Sequence, residues 1–233
     1  MRVVALTFQR VESEEFDRLL SQLRHLGYQT VSSRAFRAWQ RGEGTLPERA
    51  VLLTFDGGYD SHFTLAAPLL VRHRFTGTFC VAVDQIGRPG QMTWEQVRKL
   101  VFLGMEIGSH GLSPGALTSS KQLLEERLGV SVRALTVPEG RWNGGVAEAA
   151  RRAGYDAVWA STIGTNGRET NPLGLRRVLV RRGFSVERIV AMVEGWAPAF
   201  WWAGNLQQVI RLLKRTLGVY RYEQLKQLVV PNA

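Results

Sequence analysis

In the stretch Ala50-Val51-Leu52-Leu53-Thr54-Phe55-Asp56-Gly57-Gly58-Tyr59, the first six residues carry no charge. Such a continuous apolar run is typical of a strand that is buried on both faces of a parallel sheet. Asp56 ends the run, and two glycines follow that permit a tight turn, because glycine adopts backbone angles that other residues avoid. The stretch therefore predicts a central strand with a carboxylate at its C-terminal end.

Strand-like and helix-like segments alternate on both sides of this stretch. Apolar runs predict strands at 3–8, 30–31, 50–55, 77–83, 105–108, 134–137, 157–160 and 175–180. Apolar residues at helical spacing predict helices at 13–26, 62–73, 94–103, 121–128 and 146–153, and Gly27, Gly129 and Gly154 favour the ends of three of them. Repeated alternation of this kind predicts a parallel α/β fold, either an open sheet or a barrel.

The size and composition of the chain favour a single globular domain. It has 233 residues, of which 45% are hydrophobic, and this is enough to bury a sizeable core. Cys80 is the one cysteine and lies in an apolar run, so an intrachain disulfide is excluded and we expect the thiol in the core.

The net charge of +10 would favour anionic partners, because the field of many cations attracts them. The basic residues, however, are spread as pairs such as Arg151-Arg152, Arg176-Arg177 and Arg181-Arg182. There is no long basic run and no recognisable nucleic-acid-binding module, so we expect no specific binding of nucleic acid.

The first eight residues form a short apolar run that is followed at once by Gln9, Arg10 and acidic residues. This run is too short for the core of a signal peptide and far too short to span a bilayer. We therefore expect a cytoplasmic protein, unless a leader precedes Met1.

Three predicted strand ends carry the candidate functional residues, since parallel α/β folds place their chemistry on the loops at the C-terminal ends of strands. Asp56 ends the first of these strands and His110 ends the second, in Gly108-Ser109-His110-Gly111. The third is Val137-Pro138-Glu139-Gly140-Arg141-Trp142-Asn143, which leads into a predicted helix. Asp56 could be a base or ligand, or simply the N-cap of the next helix.

Together these three loops resemble those of the polysaccharide deacetylases of carbohydrate esterase family 4, the NodB homology domain. Residues 54–59 are similar to the family's Thr-Phe-Asp-Asp-Gly-Tyr, residues 108–114 to its Gly-Ser-His-Thr-x-x-His, and residues 137–140 to its Tyr-Pro-Tyr-Gly. Flanking segments at 6–11, 68–70, 92–96 and 153–157 agree with it in the same order. The resemblance covers most of the chain and implies a distorted (β/α) barrel.

The resemblance also implies a chemistry. Family members hold a divalent metal with one aspartate and two histidines, and the metal activates water and polarises the acetyl carbonyl. A neighbouring aspartate is the general base, and a histidine on a late strand protonates the leaving amine. In this sequence Asp56 occupies the base position and His110 the first metal-histidine position, and these two are our candidate catalytic residues.

The other family positions have changed. Gly57 stands at the metal aspartate and Pro114 at the second metal histidine, and neither has a side-chain donor. No histidine follows His110, so the late acid is missing, and Glu139 replaces the family tyrosine. We therefore expect no metal cofactor. Asp60 and His62 could in principle replace the lost ligands, although we expect both on the exposed first turn of the next helix.

Tyr59, Glu139, Gly140 and Trp142 are the residues expected to contact a saccharide, since aromatic rings beside a groove can stack on sugars. In the C-terminal part, Trp196, Phe200, Trp201 and Trp202 precede a basic amphipathic segment that reaches Leu217. This segment could dock on an anionic membrane surface or pack on the barrel. We expect a NodB-like domain at 1–190 and a helical extension at 191–233.

Two functions of different class remain open. The first is a catalytically impaired homologue in exopolysaccharide or cell-envelope metabolism that binds saccharide or acts as a scaffold. The second is an active N- or O-deacetylase, a hydrolase of carbon–nitrogen or ester bonds, with an unorthodox or metal-independent site. The metal site discriminates between them, and its lost ligands favour the first.

Overall fold

The computed structural model describes residues 1–111, 114–137, 142–195 and 198. In this part of the chain the strands are β1 (Val4–Phe8), β2 (Gln29–Thr30), β3 (Ala50–Gly57), β4 (Thr78–Val81), β5 (Glu106–His110), β6 (Ala134–Thr136), β7 (Ala157–Trp159) and β8 (Val178–Leu179). The α-helices are α1 (Ser13–His25), α2 (Ser33–Gln40), α3 (Ala67–His73), α4 (Trp94–Phe102), α5 (Leu117–Leu128), α6 (Gly144–Arg152) and α7 (Val186–Val193).

The strands form one parallel sheet in the order β7-β6-β5-β4-β3-β1-β8, and β2 pairs with the start of β3. Leu175 forms a parallel bridge with Trp159 at the end of β7, and Val178 pairs with Leu6 of β1. The segment from Leu175 to β8 therefore connects the two sides of the sheet. The sheet curls into the distorted (β/α) barrel that the family resemblance implies.

Two hydrophobic clusters lie on opposite faces of the sheet, because successive side chains of a strand point to opposite sides. Val51, Leu53 and Phe55 of β3 belong to the larger cluster, which includes residues of α1, α3, α4, α5, α6 and α7. Ala50 and Leu52 belong to the smaller cluster on the other face. The alternation along β3 continues through Thr54 to Asp56, so Asp56 faces the same side as Ala50 and Leu52.

The face of the sheet that carries the smaller cluster is the inner face of the barrel. Helix α2 covers this inner face at the end where the strands begin. Its Phe36 and Trp39 are buried in the smaller cluster, and the indole of Trp159 donates a hydrogen bond to Ser33 Oγ (3.0 Å). The backbone N–H of Ser33 donates to Thr78 Oγ1 at the start of β4. The backbone N–H of Arg34, in the first turn of α2, donates to the Glu106 carboxylate at the start of β5. Asp56 and His110 lie at the opposite end of the sheet, where the strands end and lead into loops.

The structure differs from the predicted elements in several places. Helices α2 and α7 were not predicted, and α2 is missed because its eight residues present only Phe36 and Trp39 as large apolar side chains. The predicted helix at 62–73 begins as a π-helical turn, His62–Ala66, before α3. No helix in the described ranges is long and apolar enough to cross a membrane.

Helix α7 packs beside α1 and ends at Val193. The expected division into a domain at 1–190 and an extension at 191–233 stays a prediction. The aromatic and basic segment from Trp196 to Leu217 lies outside the described residues, apart from Pro198.

Candidate functional site

Asp56 is the penultimate residue of β3, and its side chain is 6% exposed. The strand pairs with β1 on one side and with β4 on the other, where Asp56 is in register with Cys80. A carboxylate at this depth needs partners, because burial of an unpaired charge is costly. The neighbouring Cys80 is buried, and burial raises the pKa of its thiol well above the ordinary value, as expected for a core residue.

Arg177 supplies one partner. Its Nη1 donates to Asp56 Oδ2 at 2.7 Å, its Nε donates to the Ala160 carbonyl at 3.0 Å, and the side chain is 5% exposed. The guanidinium is thus held between the end of β7 and the end of β3. The result is a buried ion pair at the C-terminal end of the sheet.

The other carboxylate oxygen of Asp56 has no hydrogen-bond partner among the described residues, although it is buried. Buried polar atoms in folded proteins are nearly always paired, so an orphaned acceptor at a strand end points to a missing donor. A hydroxyl, an amide N–H or a water molecule would satisfy it.

His110 lies beside this pair at the end of β5. Its Nδ1 is hydrogen-bonded to Thr136 Oγ1 at 2.7 Å, and the same nitrogen lies 4.0 Å from Asp56 Oδ2. Burial lowers the pKa of His110, while the charge of Asp56 opposes that effect in part. The imidazole is therefore favoured in its neutral form, positioned by Thr136 on the adjacent strand β6.

Gly57 and Gly58 form the turn that follows Asp56. Both have positive φ, +103° for Gly57 and +84° for Gly58. A Cβ on Gly58 would lie 2.9 Å from a methyl group of Val81, and a Cβ on Gly57 would lie 3.0 Å from the ring of Tyr59. The backbone at the family's metal aspartate position is thus in a conformation that favours glycine.

The described residues do not provide the ligands of the family metal. They contain no group of three or more His, Cys, Asp or Glu side chains that could hold a metal ion. Asp56 Oδ2 is taken by Arg177 and His110 Nδ1 by Thr136, while Gly57 contributes no side chain. Pro114 begins a short 3₁₀ turn, and a proline has no side-chain donor atom. The residues present therefore do not fit a three-ligand site.

His62 is buried, contrary to the expectation that it lies on an exposed turn, whereas Asp60 is exposed as expected. His62 Nε2 donates to the Gln9 carbonyl at 2.5 Å, and its ring packs edge-on against Phe55. Burial lowers the pKa of His62 to about 4, so the ring is neutral at pH 7. Its Nδ1 has no partner among the described residues.

Of the four residues expected to bind saccharide, two are described. Tyr59 lies at the turn after β3, with Arg10 placed 5.0 Å over its ring. Trp142 is 36% exposed, and its indole N–H donates to the Leu173 carbonyl at 2.5 Å. Glu139 and Gly140 lie outside the described residues, and the roles of all four stay predictions.

Arg177 is the site residue that sequence reasoning missed, since it was noted only as one of a basic pair. A signal was present in the predicted strand at 175–180. Leu175 is inward-facing, and alternation places Arg177 on the same side. An arginine at an inward position of a barrel strand predicts a buried carboxylate partner.

Comparison with known proteins identifies the family. The model of the polysaccharide deacetylase family matches residues 43–158. YxkH of Bacillus subtilis, whose name assigns it to the polysaccharide deacetylases, is 27% identical over 197 residues, which cover 79% of this chain and 71% of the relative. The chain belongs to the polysaccharide deacetylase family, and the resemblance seen in the three loops is confirmed.

Two further proteins are similar to this chain. The poly-β-1,6-N-acetyl-D-glucosamine N-deacetylase of Escherichia coli is 31% identical over 135 residues, which are 46% of this chain and only 20% of that longer protein. The solved structure of the Streptococcus pyogenes deacetylase PplD in complex with acetate matches with a TM-score of 0.75 and 21% identity, over 83% of this chain and 98% of that one. The chain is a polysaccharide-deacetylase-like protein of bacterial polysaccharide metabolism, with the barrel fold of these enzymes.

Proposed function

We propose that this protein binds N-acetylated amino-sugar polymers at the strand ends around Asp56 and does not carry out metal-dependent deacetylation. Gly57 carries this proposal. It stands where the family has its metal aspartate, and its positive φ of +103° suits glycine in place of a ligand-bearing residue.

The loss of the metal would remove most of the chemistry. Hydrolysis of an amide needs an activated water and a stabilised oxyanion, and in this family the metal supplies both. In its absence Asp56 could still accept a proton, but Arg177 holds one of its oxygens and no later histidine could protonate the leaving amine. The missing general acid alone is worth roughly 10²–10⁴-fold in rate.

Three features support retained saccharide binding. Asp56 Oδ1 is a buried acceptor with no partner among the described residues, and a water molecule between it and a bound sugar hydroxyl would satisfy it. Trp142 offers a partly exposed indole that could stack on a sugar ring. The E. coli relative is named for its action on poly-β-1,6-N-acetyl-D-glucosamine, which supplies the substrate class.

The alternative is an active N- or O-deacetylase with an unorthodox site. One observation favours it: Asp56 and His110 remain side by side, with 4.0 Å between Asp56 Oδ2 and His110 Nδ1. In that case Asp56 would act as base with no help from a metal, and turnover would be insensitive to chelators.

Calorimetry with β-1,6-linked N-acetylglucosamine oligomers and their deacetylated forms tests the proposal. We expect the acetylated oligomers to bind with dissociation constants in the micromolar to millimolar range, which correspond to binding free energies of about 4–8 kcal/mol. Asp56→Asn should weaken it, and Asp60→Asn, which changes an exposed carboxylate in the same loop, should leave it unchanged. No binding across a broad glycan panel would overturn the saccharide proposal, and chelator-resistant product formation would favour the alternative.

A further inference from the structure

A second candidate site lies at the other end of the barrel, where the strands begin. Arg34, Arg37 and Arg41 are spaced three and four residues apart along α2 and its C-cap, so they share one face of the helix. Arg133, immediately before β6, lies across from them, and the four side chains line a depression of about 520 Å³. Asp56 lies at the opposite end of β3, so this depression is separate from the site described above.

The charges around the depression do not balance. Among the described residues, its lining contains four guanidinium groups but only two carboxylates, those of Glu43 and Asp156. Arg41 bonds to both acids, at 2.8 Å and 3.3 Å, and Arg133 lies 3.8 Å from Asp156. Both carboxylates are thus engaged by these two arginines.

Within the described ranges no carboxylate lies within ion-pair distance of the Arg34 or Arg37 guanidinium, although Glu43 and Asp156 act on Arg37, and Glu106 on Arg34, through their charges at longer range. Arg34 Nη2 donates to the Ser131 carbonyl at 3.3 Å, and Arg37 Nη1 donates to Gln40 Oε1 at 2.5 Å. Arg37 Nε is buried and has no hydrogen-bond partner in the described part of the chain. Glu106 is partly buried, and its carboxylate accepts hydrogen bonds from the backbone N–H of Arg34 and the hydroxyl of Thr78. It does not line the depression.

We propose that this arginine face is a binding site for a small ligand that carries a diphosphate group. Guanidinium forks match phosphate oxygens in a bidentate manner, and two forks without a carboxylate partner, one helical turn apart, suit two linked phosphoryl groups. The volume is within the range of small-molecule sites. No aromatic side chain of the described residues lines the depression, so nothing among them would stack on the bases of a nucleic acid.

Inorganic pyrophosphate is the probe, titrated into the full chain at low salt by calorimetry, with inorganic phosphate and acetate for comparison. Pyrophosphate should bind more tightly than phosphate, and acetate should not bind. Arg34→Gln should weaken pyrophosphate binding about tenfold, the loss of one charge-assisted fork. Arg98→Gln removes one exposed positive charge from α4 that does not line the depression, and it should have no effect.

Asp156→Asn gives a test that loss of folding cannot imitate. It removes the carboxylate that occupies Arg41 and Arg133, so pyrophosphate should bind several-fold more tightly. Equal weakening by Arg98→Gln, no gain from Asp156→Asn, or no pyrophosphate binding at all would overturn the proposal. The proposal would also be overturned if the protein bound anionic phospholipid vesicles through Arg34 but did not bind pyrophosphate.

Discussion

Arg177 Nη1 lies 2.7 Å from Asp56 Oδ2, and both side chains are about 95% buried. Asp56 belongs to β3, which leads into the glycine turn. Arg177 belongs to the segment from Leu175 to β8, which pairs with β1, so the ion pair connects these two parts of the sheet. A buried pair of this kind contributes little net stability as a pair, but removal of one partner leaves an uncompensated charge.

Arg177→Gln should therefore lower the free energy of unfolding by about 3–5 kcal/mol at pH 7. The double variant Arg177→Gln with Asp56→Asn should recover much of that loss, because both charges are gone. Urea unfolding followed by circular dichroism measures this. Arg72→Gln, which breaks an exposed pair with Asp17, is the matched control and should cost no more than about 1 kcal/mol. If Arg177→Gln behaves like Arg72→Gln, the buried pair does not hold the site.

Stability should depend on pH through His62. The folded pKa of about 4 is below the unfolded value of about 6.5, so the unfolded chain binds a proton that the folded chain refuses between these values. The free energy of unfolding should thus fall as pH drops from 6.5 to 4, by about 3 kcal/mol from this residue. In His62→Gln that part of the slope should vanish, and exposed His25→Gln should keep it. Parallel curves for His62→Gln and the unmodified protein would contradict the buried neutral imidazole.

Gly57→Asp restores the family's metal aspartate but places a side chain at φ +103°. It should lower the free energy of unfolding by about 1–3 kcal/mol, and Gly57→Ala should cost a similar amount because the backbone strain is shared. Combined with Pro114→His, Gly57→Asp should take up zinc, as measured by elemental analysis, whereas Gly57→Ala with Pro114→His should not. Equal zinc uptake by the two double variants would show that the carboxylate at position 57 is not the ligand.

Trp142→Ala should weaken binding of N-acetylglucosamine oligomers about tenfold if the indole stacks on a sugar ring. Phe102→Ala is the matched control, because Phe102 is an exposed aromatic residue on α4 that belongs to no candidate site. The two variants are compared by calorimetry at equal folded fraction. Unchanged affinity in Trp142→Ala would remove this residue from the proposed saccharide site.

The strands, and the strand ends that carry Asp56 and His110, were predictable from the sequence, and the reasons are local. The uncharged run at 50–55 and the helix-ending glycines indicate elements without reference to the rest of the chain. Asp56 and His110 could be identified because each lies at the C-terminal end of a predicted strand. Helix α2 was not found, since its stability comes from Phe36 and Trp39 packing inside the barrel, a contact that only the assembled sheet creates.

The burial of His62 and the role of Arg177 also depend on tertiary contacts. His62 follows the exposed Asp60 by two residues, and only the π-helical turn and the Gln9 carbonyl, in the loop after β1, explain why its ring turns inward. Arg177 is 121 residues from Asp56 along the chain, so no local pattern could pair them. The inward position of Leu175, and therefore of Arg177 two residues later, is the sequence signal that could have indicated a buried arginine in the site.

We infer that this family member does not use a metal to deacetylate sugars. The most direct test of this inference is the rate of acetate release from N-acetylglucosamine oligomers by the unmodified protein, measured with added zinc and with a chelator, alongside the zinc content of the purified protein. We predict no stoichiometric zinc and no release above background under either condition. Release that requires zinc, stops with the chelator and is abolished by Asp56→Asn would contradict the account.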